Sequence, residues 1–146
     1  MAIIRTILSQ RNSWLLLATL FLAACGKDTV CNVPIGLTNF QIEPNSALYY
    51  GLNNVGGYEY LTGGHRGVIV VRIARDQFVA YERTCPEDGT TPVVVSDDWG
   101  SALLECPACH SCFITETDGL PMEGSATTCP LYQYGTTYTD GILYVY

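Results

Sequence analysis

Between Glu105 and Phe113 the chain sets three cysteines and one of its two histidines: Glu105-Cys106-Pro107-Ala108-Cys109-His110-Ser111-Cys112-Phe113. Two cysteines at i and i+3 around a proline make a knuckle tight enough to aim both sulfurs at one point, as thiolate metal sites require. A second Cys-Pro pair opens the run Cys85-Pro86-Glu87-Asp88-Gly89-Thr90. Brought together, Cys85, Cys106, Cys109 and His110 have the donor types of a tetrahedral zinc site, structural if the protein fills all four positions. The string Cys106-x-x-Cys109-His110 also satisfies the attachment signal of c-type haem, with Met122 as the sole non-initiator methionine for a distal ligand. Cys106, Cys109 and Cys112 at two-residue spacings, with Cys85 or Cys129 farther off, echo a bacterial ferredoxin run. With no metal at all, the same cysteines would be thiols or disulfides of a binding module.

The elements that must position these residues are strands. Ala102 to Leu104 leads into the cysteine cluster and Phe113 to Thr115 leads out, so the cluster belongs on a loop between strands rather than on a helix. Short β-branched or aromatic runs recur along the chain: Phe40-Ile42 as a first edge strand, Leu48-Tyr50, Tyr58-Leu61, Val68-Ile73, Gln77-Tyr81, Pro92-Val95, Tyr132-Thr139 and Ile142-Tyr146. Turn residues such as Asn53-Asn54, Gly56-Gly57, Gly63-Gly64 and Arg75-Asp76 separate them. No window after Cys25 sustains an apolar repeat at helical spacing. The expectation is an all-β domain, a small antiparallel sandwich or barrel, with two Cys-bearing hairpin loops.

Arg5 and Arg11 precede an apolar run from Trp14 to Ala24 that is shorter than the roughly 20 residues needed to span a bilayer, which marks a signal-peptide core. Its end, Leu22-Ala23-Ala24-Cys25, resembles the lipobox of bacterial lipoproteins, which implies cleavage before Cys25 and lipidation of its sulfur. An ordinary signal peptide with a chance cysteine is the alternative. The expected organisation is a signal peptide at 1–24, a lipidated tether at 25–44 and a β domain at 45–146. The protein would then sit in the bacterial cell envelope, held by lipid to the outer membrane or the periplasmic face. Removing 1–24 takes two of the 7 basic residues and none of the 14 acids, leaving a charge of 5 − 14 = −9. Nucleic acid and anionic lipid headgroups would be repelled. In an exported chain, six cysteines beyond Cys25 invite a disulfide framework. Cys31 and Cys129 flank the domain and could pair to hold the tether down, while Cys112 has no evident place.

From about Val55 to the C-terminus the order of parts resembles the Rieske iron-sulfur family. That family has a first loop Cys-x-His-x-Gly-Cys, a second loop Cys-Pro-Cys-His-Gly-Ser-x-Phe, then a Gly-Pro-Ala loop and a Pro-Leu-x-x-Tyr strand. Cys85 and Gly89 match the first loop, Cys106, Pro107, Ser111 and Phe113 the second, Gly124-Ser125-Ala126 the third, and Pro130-Leu131-Tyr132-Gln133-Tyr134 the closing strand. Glu87 and Cys109 stand where the family has its two His ligands, and Thr90 and Ala108 where it has two disulfide cysteines. The resemblance implies a 2Fe-2S cluster for electron transfer to a redox partner, held by Cys85, Cys106 and Cys109, with Glu87 as a weak fourth ligand; His110 is the weak fourth donor of the zinc site. Zinc, or no cofactor, remains the alternative on this frame. Two neutral histidines raise Rieske potentials to about −150 to +300 mV, and a thiolate and a carboxylate in their place would pull a potential down toward the roughly −400 mV of all-Cys two-iron clusters.

Nothing else in the chain assembles into a catalytic set: there is no phosphate loop and no Ser/His/Asp combination at workable spacing. His65, in Gly63-Gly64-His65-Arg66-Gly67, has the setting of a solvated turn residue. Glu82 and Arg83 are expected as strand-face charges. The ten tyrosines fit cross-strand packing, although Tyr132, Tyr134 and Tyr138 on one continuous strand would also share a face suited to a carbohydrate or protein.

Overall fold

The computed structural model describes residues 31–146. The expected signal peptide and the expected lipidation site at Cys25 therefore lie outside the described residues. All regular structure is antiparallel sheet apart from one short 3₁₀ helix. Strands β2 (Tyr58–Leu61), β3 (Val68–Ala74), β4 (Gln77–Glu82) and β9 (Gln133–Tyr134) form a central sheet in the order β2-β3-β4-β9. Strands β5 (Val94–Ser96), β6 (Gly100–Glu105), β7 (Cys112–Ile114) and β8 (Leu120–Pro121) form a second, in sequence order. Strands β1 (Phe40–Ile42), β10 (Thr136–Thr139) and β11 (Ile142–Val145) form a third, with β11 in the middle.

Strand β3 explains the layering. Val68, Ile69, Val70 and Val71 are all buried, a continuous apolar run that fits only a strand covered on both faces. Ile69 and Val71 pack with Val79, Tyr81, Leu104 and Phe113 on the side of the second sheet. Val68 and Val70 pack with Phe78, Tyr134, Leu143 and Val145 on the side of the third. Cys85 and Cys106 belong to the first of these two cores, so packing fixes the two sulfur-bearing loops at their roots.

Two strand expectations change. Leu48-Tyr50 is part of the 3₁₀ helix Ala47–Leu52, not a strand. Turn bonds from Ser46 N–H to Glu43 C=O and from Tyr49 N–H to Ser46 C=O start it, and only Leu52 is buried. Tyr132-Thr139 is two strands divided at Gly135, one pairing with β4 and the other with β11. Gly135 exchanges both backbone hydrogen bonds with Tyr146, whose ring lies where a Cβ at 135 would be, 2.5 Å from Cε2. The division takes Tyr138 into another sheet, while the Tyr132 and Tyr134 rings stay in edge-to-face contact at 5.1 Å, with Tyr134 buried. Residues before Asn45 belong to the fold as well. Strand β1 pairs with β11, and a disulfide joins Cys31 to Cys129.

Candidate metal centre

The two Cys-Pro loops are knuckles of one design. In the first, which joins β4 to β5, Gly89 N–H donates to Cys85 C=O at 2.9 Å and Cys85 N–H to Thr91 C=O at 2.8 Å. In the second, between β6 and β7, His110 N–H donates to Cys106 C=O at 2.8 Å and Cys106 N–H to Ser111 C=O at 2.9 Å. Each reverses through a left-handed residue four places after its first cysteine, Gly89 at φ 65° and His110 at φ 56°. Glycine takes that conformation freely, and histidine is among the residues enriched there.

The knuckles bring the Cys85, Cys106 and Cys109 sulfurs within 4.8 Å of one another. Cys85 and Cys109, from different loops, are 3.6 Å apart. Two thiolates bound to one metal at ~2.3 Å in tetrahedral geometry stand ~3.8 Å apart, so this separation already suits a shared ion. Cys85 and Cys106 are buried and Cys109 is half-buried. Burial pushes the Cys85 thiol up to about 12, reinforced by Cys106 and Cys109 and opposed by the Glu87 and Asp88 N–H groups aimed at its sulfur. At Cys109, burial is outweighed by the Ser111 hydroxyl and N–H, which hold the thiol below its ordinary value. The Ser111 hydroxyl lies 3.2 Å from that sulfur and itself accepts the Ala126 N–H.

The loop at 118–126, rich in Gly and Pro, closes the third side. Ser125 bridges the N–H and C=O of Cys112, both at 3.1 Å, and Met122 N–H donates to Cys112 C=O. Leu120–Pro121 within that stretch pairs with β7 as strand β8, which the loop composition concealed.

The remaining expected donors lie apart from the three sulfurs. His110 holds the left-handed position where the Rieske pattern has glycine, so its exposed ring is turned outward to Glu105, 3.0 Å away. In that arrangement His110 stands outside the group of three sulfurs. Cys112 faces its own loop, 3.8 Å from the His110 carbonyl, and burial with the charges of Glu105 and Cys109 raises its thiol. Glu87 is exposed and forms no group with the sulfurs. Its neighbour Asp88, which the motif did not single out, is likewise exposed and outside that group, but its Oδ2 is 4.0 Å from the Cys106 sulfur. The other oxygen of Asp88, Oδ1, accepts the Thr90 and Thr91 N–H groups, both at 2.8 Å. With Thr91 the largest contributor, these bonds bring the carboxyl down to about 2.

Glu82 is the clearest departure from expectation. It is fully buried rather than a strand-face charge. His65 N–H donates to Oε2 at 2.6 Å, and Arg66 N–H, Thr84 N–H and the Thr84 hydroxyl donate to Oε1 at 2.9, 3.0 and 2.8 Å. The Tyr134 hydroxyl lies 2.8 Å from Oε2. Burial opposes the charge, yet these donors outweigh it and hold the carboxyl below its ordinary value. Arg83 folds over the Tyr60 ring at 4.0 Å and donates to the Val93 carbonyl, tying the first knuckle's far side to the central sheet. The one hint in the sequence was a strand-ending Glu opposite a Gly-Gly turn.

Comparison with family models and with curated proteins finds no match. Solved structures similar to this chain include two from one dioxygenase system. One is the complex of reduced oxygenase and oxidized ferredoxin in carbazole 1,9a-dioxygenase, at 24% identity and TM-score 0.45, covering 62% of this chain and 80% of that one. The other is the ferredoxin of carbazole 1,9a-dioxygenase from Nocardioides aromaticivorans IC177, at 21% identity and TM-score 0.45, covering 63% and 86%. At these identities the likeness concerns the fold alone.

Proposed function

We propose that this chain is a Rieske-like electron-transfer lipoprotein of the bacterial cell envelope, anchored through lipid on Cys25, whose cysteine triad holds an iron-sulfur centre. The observation that carries this reading is the convergence of Cys85, Cys106 and Cys109 from two matched knuckles to within 4.8 Å. The donors fit such a centre in softness and supply three of its four protein ligands, since thiolates hold iron-sulfur clusters. They do not fit the imidazole half of a Rieske site, because Cys109 and the carboxylates of the first loop replace both histidines. When bound, the centre would supply a site for single-electron exchange. The chain's own contribution is to aim N–H groups and the Ser111 hydroxyl at the sulfurs, and to shield two of the three thiolates from water.

The experiment is iron and labile-sulfide analysis of protein purified without oxygen. Equal iron and sulfide with visible absorption supports a 2Fe-2S centre. Absence of both iron and visible absorption overturns the electron-transfer reading. A second reading is a single structural zinc ion. The observation favouring it is the compactness of the triad, since ligands shared between two irons spread farther apart than ligands on one. Zinc without iron, retained through gel filtration, would establish it.

A further inference from the structure

Three thiolates leave a metal one donor short of the tetrahedral set that zinc and cluster irons take. The sequence pattern nominates Glu87, and the zinc alternative nominates His110. Neither side chain reaches the sulfurs. Asp88 also stands outside the group of three sulfurs, but it comes to one of them, Cys106, and its carboxylate is divided between two tasks. Oδ1 is committed to the knuckle through the Thr90 and Thr91 N–H groups. Oδ2 is left facing the Cys106 sulfur at 4.0 Å. A thiolate at ~2.3 Å and a carboxylate oxygen at ~2.0–2.2 Å on one tetrahedral ion are ~3.6 Å apart, so Asp88 and Cys106 stand within a few tenths of an ångström of sharing a metal. The Cys85 and Cys109 sulfurs, at 3.6 Å, meet the same condition.

We propose that Asp88 is the fourth protein donor, sharing its metal with Cys106 and completing an S₃O set as its free oxygen closes on the metal that Cys85 and Cys109 also face. The inference rests on the reading of the triad as a metal centre and adds its missing ligand. The turn that Oδ1 caps fixes the carboxylate before the metal arrives, as donors outside the coordination sphere do for metal-ligating side chains generally. One carboxylate thus shapes the loop and closes the site.

Titration of the full chain with Co²⁺ under reducing, oxygen-free conditions tests this, because cobalt reports thiolate ligation in the near ultraviolet and coordination geometry in its visible bands. The expected result is one Co²⁺ per wild-type chain with tetrahedral bands. Asp88→Asn keeps an oxygen for the turn but loses the carboxylate, so it should weaken Co²⁺ at least tenfold and change the visible bands. Asp88→Ser should do the same, while Glu87→Gln and His110→Ala should match wild type. Circular dichroism melts of the metal-free variants establish that the fold is kept. The proposal is overturned if Asp88→Asn and Asp88→Ser match wild type, or if the loss falls on Glu87→Gln instead. Weaker binding with unchanged visible bands also overturns it, since Asp88 would then merely position Cys106. No binding by wild type would instead sink the metal reading itself.

Discussion

Glu82 shows how a single carboxylate can be worth more to this fold than its place in the sequence suggests. An uncompensated buried charge is costly, but four donors from the 65–66 turn and Thr84, with the Tyr134 hydroxyl beside them, satisfy this one. Because the folded state holds the Glu82 carboxyl below its ordinary value of 4.5, its stabilisation is complete above that value. It is lost as pH falls through the lower folded-state value. Thermal melts are expected to be flat from neutrality down to about pH 5 and to fall steeply below, with part of the acid slope absent in Glu82→Gln. At neutral pH that variant is expected to lose about 2–3 kcal/mol in denaturant titrations, because an amide nitrogen would face backbone donors. The redox centre carries its own prediction at this scale. If iron and sulfide assemble on the triad, protein-film voltammetry should place the potential nearer about −400 mV than above −150 mV, because no imidazole replaces the thiolates. The three cysteines were legible in the sequence because Cys-Pro spacing is a local signal. Asp88 and Glu82 were not, since a carboxylate's role here depends on which N–H groups the fold brings to it.

Among the elements, strands with a strong local pattern were readable, and the apolar run of β3 even shows that both its faces are covered. The two failures share a cause. Leu48-Tyr50 and Tyr132-Thr139 alternate as strands do, but pairing partners decide whether alternation becomes sheet. For the first, local turn bonds beginning at Ser46 take the backbone donors instead. For the second, Gly135 hands the chain from one sheet to another against the Tyr146 ring. The N-terminal segment shows the same dependence on distant partners. Cys31 and Cys129 close a loop of 98 residues, and Gly64 N–H donates to the Thr38 hydroxyl. Cross-linking across such a span restricts the unfolded chain by about 4–5 kcal/mol in the chain-entropy account. The double variant Cys31→Ser/Cys129→Ser is therefore expected to melt well below wild type, by an amount near that figure in chemical denaturation. It should leave metal uptake at Cys85, Cys106 and Cys109 intact, because the triad is rooted in the core between the first two sheets.

For the molecule as a whole, charge is distributed as unevenly as the sheets. The described arginines, Arg66, Arg72, Arg75 and Arg83, all fall within residues 66–83, whereas from Thr84 to Cys129 there are eight carboxylates, between Glu87 and Glu123, and no Lys or Arg. Arg72 is further neutralised as a surface charge, since its guanidinium is buried against the Leu52, Asn53 and Arg75 carbonyls. Both knuckles and the segment closing them therefore belong to a stretch of chain of one sign. A field of that kind speeds encounter with a cationic surface and is screened over ~8–10 Å at physiological salt. An electron-transfer partner of the proposed centre is expected to present a basic face to these loops. Stopped-flow electron transfer between the reduced protein and a basic one-electron acceptor should then slow about tenfold or more as ionic strength rises from about 20 to 500 mM. Replacing Glu87 and Asp97 together by Gln and Asn should flatten that dependence while leaving the metal content unchanged. A rate indifferent to salt, or one that rises with it, would mean that the acidic loops are not the docking face and that electrons leave by another side of the fold.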